Sequence, residues 1–257
     1  MRSRLGAFLL VLAAFSSPAQ PERLISTLST SRVLISSNFT GADVVLFGSV
    51  ERDAQTVPRR GSYDIVVTVK GPRETIVTYR KERVVGIWVN ADSRTFIDAP
   101  SYLTVLSNRT INDIADLNTL RRTQTGLART LLPQEISGDI ADSIRDDPFR
   151  QAFLRLKIEH WLYRETQNGV TFLTPALFRA AIPIPDNAPT GSYDVDVKLF
   201  ADGALLARQQ TALEVVKVGF EQIVANAARE HGLFYGLATA LMALLTGWLA
   251  SVVFRKD

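Results

Sequence analysis

The sequence contains no cysteine, only two histidines (His160 and His231) and only two methionines (Met1 and Met242). Without cysteine, no disulfide can cross-link the fold and no thiol can act as a nucleophile, so the folded part must be held together by burial of apolar side chains. Zinc sites built from cysteine and histidine, and copper sites built from histidine, cysteine and methionine, are excluded for the same reason. The chain also lacks the glycine-rich phosphate loops of P-loop and Rossmann nucleotide-binding proteins.

A surplus of basic residues is also missing outside the two ends of the chain, although the formal net charge is +3. Arg2 and Arg4 belong to a predicted signal peptide, and Arg255 and Lys256 to a predicted cytoplasmic tail. Once these four and Asp257 are set aside, 25 of the 29 basic residues and 25 of the 26 acidic residues are left, so their charges cancel. A neutral remainder has no cationic surface to bind a phosphate backbone, so we expect no nucleic-acid partner.

The longest apolar run is Leu233–Phe254, which carries no charged side chain. Its roughly 22 residues make about 33 Å of α-helix, close to the thickness of the hydrocarbon core of a bilayer. The run is therefore predicted to span the membrane once, with Arg255 and Lys256 on the cytoplasmic side. The alternative is a buried core helix, but core helices are usually shorter and carry a polar face.

The N-terminus has the pattern of a secretory signal peptide. Arg2 and Arg4 precede the apolar run Leu5–Phe15, and small residues suit cleavage near Ala19–Gln20. An uncleaved signal anchor remains the alternative. Export without any cysteine favours a Gram-negative periplasm, so we expect a single-pass protein of the bacterial inner membrane with its N-terminal domains in the periplasm and its C-terminus in the cytoplasm.

Residues 23–107 have the pattern of a β-sandwich. Val44–Val50 is a β-rich run, and apolar residues occupy every second position from Tyr63 to Val69. Further short strands follow at a spacing of about ten residues, which is typical of sandwiches. Trp88 lies among apolar neighbours and is predicted to belong to the core.

The period changes to that of helices after Asn108. Thr110 is a candidate N-cap for a first helix, and Ile136, Ile140 and Ile144 form a second short stripe. Asp147 followed by Pro148 predicts the start of a third helix, which runs to about Thr166 and is ended by Gly169. One apolar face of this third helix contains His160.

One segment occurs twice in the chain. Gly61–Val67 (GSYDIVV) is repeated as Gly191–Val197 (GSYDVDV), and each copy predicts a turn followed by a strand whose tyrosine is buried. A tyrosine that opens a strand in this way, with its hydroxyl bound to nearby backbone, is common in immunoglobulin-like domains.

Together these patterns predict a mainly β protein with some α-helix. We expect two immunoglobulin-like β-sandwich domains bridged by a helical segment, plus one C-terminal transmembrane helix. The predicted boundaries are a signal peptide (1–19), a first β-sandwich domain (23–107), a helical segment (108–169), a second, smaller β-sandwich domain (170–218), a juxtamembrane helix (219–232), a transmembrane helix (233–254) and a cytoplasmic tail (255–257).

No catalytic, cofactor-binding or metal-binding residue is predicted, and we expect no enzyme and no cofactor. His160 falls on an apolar helix face, where a core histidine is commoner than a general base, and His231 precedes the span as an ordinary interfacial residue. The acidic cluster Asp139, Asp142, Asp146 and Asp147 lacks the ligand order of an EF-hand and is interpreted as a solvated, helix-capping turn.

Small residues recur along the predicted span in two rows with a spacing of four, Gly232, Gly236 and Ala240, then Ala243, Gly247 and Ser251. Such rows let the backbones of two helices approach closely in lipid. They are candidate packing positions for a membrane-protein partner such as a permease, or for a second copy of the chain, although glycine and alanine are common in membrane spans generally.

The chain also resembles the alphaproteobacterial family of putative transmembrane proteins, in segments spread over most of its length: Phe39–Ala42, Phe47-Gly48, Gly86–Asn90, Val218–Glu221 and Gly247–Ala250. The resemblance implies an envelope location and genes that often lie near sulfite-exporter-type permeases. It supplies no catalytic residues.

Three classes of function stay open at this point. The one we favour is a membrane-anchored periplasmic interaction module, a non-enzymatic accessory to a permease or envelope complex, with sulfite or organosulfur export as the implied process. A periplasmic solute-binding or sensing ectodomain is the first alternative. An enzyme that uses carboxylates is the second.

Overall fold

The computed structural model describes residues 22–51, 62–136, 139–142, 147–219 and 228–253. These residues fall into two compact units, one within 1–33 and 40–215, which we call the β unit, and one within 34–39 and 216–257. The strands are β1 (Arg23–Leu28), β2 (Arg32–Ile35), β3 (Ala42–Glu51), β4 (Asp64–Lys70), β5 (Arg73–Val84), β6 (Ile87–Pro100), β7 (Leu103–Ser107), β8 (Pro133–Ile136), β9 (Asp139–Asp142), β10 (Tyr163–Thr166), β11 (Val170–Phe172), β12 (Leu177–Ile184), β13 (Gly191–Ala201) and β14 (Ala204–Lys217). The helices are α1 (Ile111–Ile114), α2 (Leu117–Arg122), α3 (Pro148–Glu159) and α4 (Gly232–Val253), with a 3₁₀ turn at Leu127–Arg129.

The strands form three sheets. The outer sheet has the order β1-β3-β12-β11, the central sheet β10-β7-β4-β13-β14-β2, and the hairpin sheet β5-β6-β8-β9. β10 and β7 run parallel, whereas β4 is antiparallel to both of its neighbours. The chain is thus mainly β, as the sequence predicts.

β4 and β7 of the central sheet are buried on both faces, which explains their largely apolar sequences. In β4 every side chain from Asp64 to Val69 is buried, and β7 is buried throughout. β11 and β12 of the outer sheet pack against them. A second apolar cluster joins residues of the central sheet to residues of the hairpin sheet and the helices, and it includes Val66, Leu103, Val105, Phe200, Phe96, Ile111, Leu120 and Phe153.

The pairing of strands differs from the predicted division into two sandwiches. β3 pairs with β12 over Ala42–Ser49, and β4 pairs with β13 over Asp64–Lys70. Residues 23–107 and 170–218 therefore contribute strands to the same two sheets. Hydrophobic alternation reports which face of a strand is buried and carries no information about its partner, so the sequence pattern could not reveal this exchange.

The two copies of the repeated segment are neighbours in the middle of the central sheet. Val67 of the first copy lies opposite Val197 of the second, and the register is symmetric about that pair, since Asp64 lies opposite Phe200 and Lys70 opposite Asp194. Tyr63 and Tyr193 are both buried, as predicted. Gly61, which opens the first copy, lies outside the described residues.

The helical segment contains more strand than its sequence predicts. Thr110 makes no side-chain cap and α1 is a single turn, whereas Asp116 accepts hydrogen bonds from the backbone N–H groups of Asn118 and Thr119 and starts α2. The predicted helical stripe is wrong at Ile136 and Ile140, because these residues lie in the antiparallel strands β8 and β9. Ile144 lies outside the described residues.

The predicted N-terminus of the third helix is confirmed, and its C-terminus is corrected. The Asp147 side chain accepts from the backbone N–H groups of Phe149 and Arg150, with Pro148 at the first helical position. The helix ends at Glu159, not near Thr166, and the chain continues into β10.

Trp88 is exposed, which corrects its predicted place in the core. Its side chain is 66% accessible, and every residue from Tyr79 to Ala91, on both sides of the β5–β6 turn, is exposed. The apolar neighbours of Trp88 in the sequence are therefore neighbours in an exposed hairpin and not in a core.

Candidate interaction surfaces

The C-terminal helix α4 is the one helix among the described residues that is long and apolar enough to cross a membrane. The candidate span covers Gly232–Ser251, with a mean hydropathy of 1.7, and its residues are exposed in the part of the chain that the structure describes. The observed helix, Gly232–Val253, begins one residue before the predicted span. Phe254, the tail and the signal peptide lie outside the described residues.

The six predicted packing positions all lie on α4. Gly232, Gly236 and Ala240 form one row along the helix and Ala243, Gly247 and Ser251 the other, and all six are exposed. A Cβ placed at any of the three glycines would meet no atom of the described residues within 4 Å, apart from its chain neighbours and the adjacent backbone of the helix itself. The surface of α4 along these rows is therefore open to close approach by another helix.

The two threonine hydroxyls of α4 are satisfied within the helix. Thr239 Oγ1 donates to the Tyr235 carbonyl at 3.0 Å, and Thr246 Oγ1 donates to the Met242 carbonyl at 2.7 Å. Because lipid offers no hydrogen-bond partner, these bonds let both threonines face hydrocarbon without an unpaired hydroxyl.

An open cavity of about 440 Å³ lies in the β unit where α3 leads into β10, and it is lined by Thr40, Gly41, Ala42, Asp43, Tyr102, Trp161, Arg164, Pro183, Ile184 and Pro185. The Arg164 guanidinium lies 5.8 Å from the centre of the Trp161 ring, a cation–π distance. The Tyr102 hydroxyl donates to the Pro183 carbonyl, and burial raises the pKa of Tyr102 to about 12. The cavity thus offers an aromatic face, a cation and the Asp43 carboxylate.

Trp161 reaches this cavity from an unusual backbone position. The N–H of Leu162 donates to the Lys157 carbonyl and that of Trp161 to the Ile158 carbonyl, which is the Schellman arrangement for ending a helix. Trp161 occupies the left-handed position, with φ 60°, where glycine is the usual residue. Since no glycine marks the helix end, the sequence analysis missed both the turn and the cavity.

Two charged residues of β13, Asp196 and Lys198, are buried, and a half-exposed arginine of β14, Arg208, binds the first of them. The Asp196 carboxylate accepts from Arg208 Nε at 2.6 Å and lies 3.3 Å from Lys198 Nζ. Lys198 Nζ also donates to the Thr123 carbonyl at 2.7 Å. Burial lowers the pKa of Lys198, and the charge of Asp196 opposes that shift. The contacts of Lys198 connect β13 to the turn after α2, so this residue has a structural role.

Both histidines are exposed. His160 is exposed at the C-terminal cap of α3, so its predicted place in a core is wrong, and His231 is exposed just before α4. Among the described residues, no group of three or more histidine, aspartate or glutamate side chains could hold a metal ion. Asp147 caps α3 and accepts from Gln134 Nε2 at 2.8 Å, which confirms the helix-capping part of the interpretation of the acidic cluster.

The fold and α4 together define a mainly β protein with one C-terminal helix that is able to span a membrane. The family model described as "Putative transmembrane protein (Alph_Pro_TM)" matches residues 23–256, so the chain belongs to this family of membrane proteins, as the sequence motifs indicate. No curated protein matches the chain.

Proposed function

We propose that the chain is a membrane-anchored interaction module of the periplasm, a non-enzymatic accessory to a membrane permease or envelope complex. The observation that carries the proposal is the surface of α4, whose residues from Gly232 to Ser251 are exposed among the described residues and include two rows of small residues. Such rows favour close packing against another span, which a helix that serves only as an anchor does not need.

The same proposal places the chain in the inner membrane, with the β unit on the periplasmic side and the C-terminus on the cytoplasmic side. This placement is supported by the signal-peptide pattern at the N-terminus and by Arg255 and Lys256 after the span. The family resemblance points to export of sulfite or organosulfur compounds as the process that the permease carries out.

Substitution of Gly236 and Gly247 by leucine, singly and together, tests the packing rows. We expect the double variant to lose helix association in a membrane two-hybrid assay, because leucine separates the backbones that the small residues bring together. If only one single variant loses association, the row that contains it is the contact. The assay is run against a second copy of the chain and against any membrane protein that co-purifies in stoichiometric amount.

Ala238→Leu is the matched control. Ala238 lies on α4 outside both rows, and its replacement adds similar bulk to the helix. It should leave association unchanged. Association and co-localisation that survive Gly236→Leu with Gly247→Leu would show that α4 is only an anchor.

A solute-binding or sensing ectodomain is the second candidate, and the Trp161 cavity is the observation that favours it. A left-handed backbone costs an ordinary L-residue roughly 1–2 kcal/mol, and here it holds a 67% exposed aromatic ring at the mouth of a cavity beside Arg164. A small molecule retained by the full chain in native mass spectrometry and lost on Trp161→Ala would support this function.

A further inference from the structure

The β5–β6 hairpin ends in an exposed two-residue turn, Val85–Gly86. Val84 lies opposite Ile87, Arg83 opposite Trp88, and Glu82 opposite Val89. The exposed part from Tyr79 to the turn is roughly 20 Å long at the rise of a β-strand. Every residue of this ribbon, the tip hairpin (Tyr79–Ala91), is exposed, although Tyr79–Lys81 line a groove with α3 at the end away from the turn.

The end of the tip hairpin next to the turn carries exposed apolar side chains on both of its faces. The exposed fractions are 51% for Val84, 97% for Val85, 68% for Ile87, 66% for Trp88 and 39% for Val89. Successive side chains of a strand point to opposite faces, so Ile87, Trp88 and Val89 place apolar groups on both sides of the ribbon. A flat protein surface covers one face only, whereas immersion in an apolar medium covers both.

The net charge of the tip hairpin is positive. Arg80, Lys81 and Arg83 follow one another on β5 with one acid, Glu82, which forms an exposed 2.9 Å ion pair with Arg80. Arg83 lies beside Trp88, and Arg80 and Lys81 lie further from the turn. An apolar, tryptophan-bearing end with cations beside and behind it matches the boundary of a bilayer, where hydrocarbon lies beneath anionic headgroups.

The first residue of the turn is a valine in a backbone conformation that is unfavourable for valine. Val85 and Gly86 have φ of 50° and 84°, the two positive values of a type I′ turn. Asparagine, aspartate or glycine normally occupies the first of these positions, and a β-branched residue there is an outlier. The strained backbone and the exposed apolar side chain of Val85 are both energetically unfavourable in the isolated fold. A contact of this side chain with something outside the chain would explain why valine occupies the position.

We infer that the tip hairpin dips into the interfacial region of a lipid bilayer whose surface carries anionic headgroups. The span keeps the chain at a membrane, so lipid is always at hand, and the contact is independent of any partner protein. The insertion is shallow, because the two edges of a two-stranded ribbon carry unpaired backbone groups that need water or headgroups as partners.

The test uses the full chain reconstituted in vesicles of zwitterionic and anionic phospholipid. The chain has three tryptophans, so Trp161→Phe with Trp248→Phe leaves Trp88 as the single emitter. We expect blue-shifted emission that is strongly quenched by lipids brominated near the headgroup end of the acyl chain and weakly by lipids brominated near its methyl end. Quenching should fall when anionic lipid is omitted.

The matched control keeps Trp161 instead, by Trp88→Phe with Trp248→Phe. Trp161 is 67% exposed, as Trp88 is, and belongs to the same β unit, but it lies beside the cavity and should not be quenched by bromolipid. Equal quenching of the two tryptophans would contradict a contact specific to the tip hairpin. Emission typical of water that is quenched by iodide would overturn the inference, and blue-shifted emission without bromolipid quenching would overturn it in favour of a protein socket.

Val85→Asn, made in the chain whose only tryptophan is Trp88, distinguishes the effect of Val85 on lipid contact from its effect on the stability of the fold. Asparagine suits the left-handed position and should raise the melting temperature of the β unit, while it removes an apolar side chain and should reduce bromolipid quenching of Trp88. A variant that melts higher with unchanged quenching would show that Val85 makes no lipid contact.

Discussion

Tyr193→Ala should lower the free energy of unfolding of the β unit by about 3–5 kcal/mol, the cost of removing a large aromatic side chain from a packed core. Tyr193 is fully buried in β13, and its ring centre lies 5.5 Å from that of Tyr102. Its hydroxyl donates to the Pro189 carbonyl at 2.6 Å. Without disulfides, no cross-link offsets the loss. Chemical denaturation of the detergent-solubilised full chain, followed by near-UV circular dichroism, measures it.

Tyr193→Phe is the control, since it keeps the ring and removes only the hydroxyl. We expect it to cost about 1 kcal/mol, the net contribution of one hydrogen bond. A Tyr193→Ala variant that unfolds at the same denaturant concentration as wild type would show that the centre of the β unit does not depend on this side chain.

Asp196→Ala should cost about 3 kcal/mol, because it leaves the buried Lys198 ammonium without its counter-ion. Lys198 is 3% exposed and keeps only its bonds to Thr123 and Thr125. Burial also lowers the pKa of Lys70, whose charge Asp196 helps to hold. Adding Lys198→Met to Asp196→Ala should recover part of the loss. Asp194→Ala, an exposed carboxylate on the same strand, is the control and should cost little.

The same variant should show a characteristic pH dependence. Without Asp196, the pKa of Lys198 in the folded state falls further below the unfolded value of 10.5. Between these two values the unfolded chain binds the proton and the folded chain does not, so stability rises with pH in this window. The deficit of Asp196→Ala should therefore shrink from neutral to mildly alkaline pH, below the ordinary tyrosine pKa of about 10. A deficit that grows with pH would contradict the buried-cation explanation.

Local signals in the sequence were sufficient for most individual elements. The alternation from Tyr63 to Val69 is β4, Asp147 with Pro148 starts α3, and the uncharged run is α4. Each of these signals acts within a few residues, through strand alternation, a side-chain cap or continuous hydrophobicity.

Strand pairing and the exposed sites could not be predicted in this way. The β4–β13 pair joins residues about 130 positions apart, and nothing in either strand specifies the other except the repeated segment. Trp88 and Trp161 are large apolar residues with apolar neighbours in the sequence, which is typical of core residues. Their exposure follows from where a turn and a helix end occur, and at each of these points a non-glycine residue adopts a left-handed backbone (Val85 and Trp161). All six predicted packing residues lie on α4, and the partner that they would contact is a proposal.

The most direct test of membrane anchoring uses the absence of cysteine, because any single introduced cysteine is then the only site of maleimide labelling. Ala212→Cys places a thiol on the exposed side of β14, and Lys256→Cys places one after the span. In intact spheroplasts, a membrane-impermeant maleimide should label the Ala212→Cys chain at once and the Lys256→Cys chain only after lysis. Labelling of Lys256→Cys in intact spheroplasts, or no labelling of Ala212→Cys until lysis, would contradict a single span with the β unit in the periplasm.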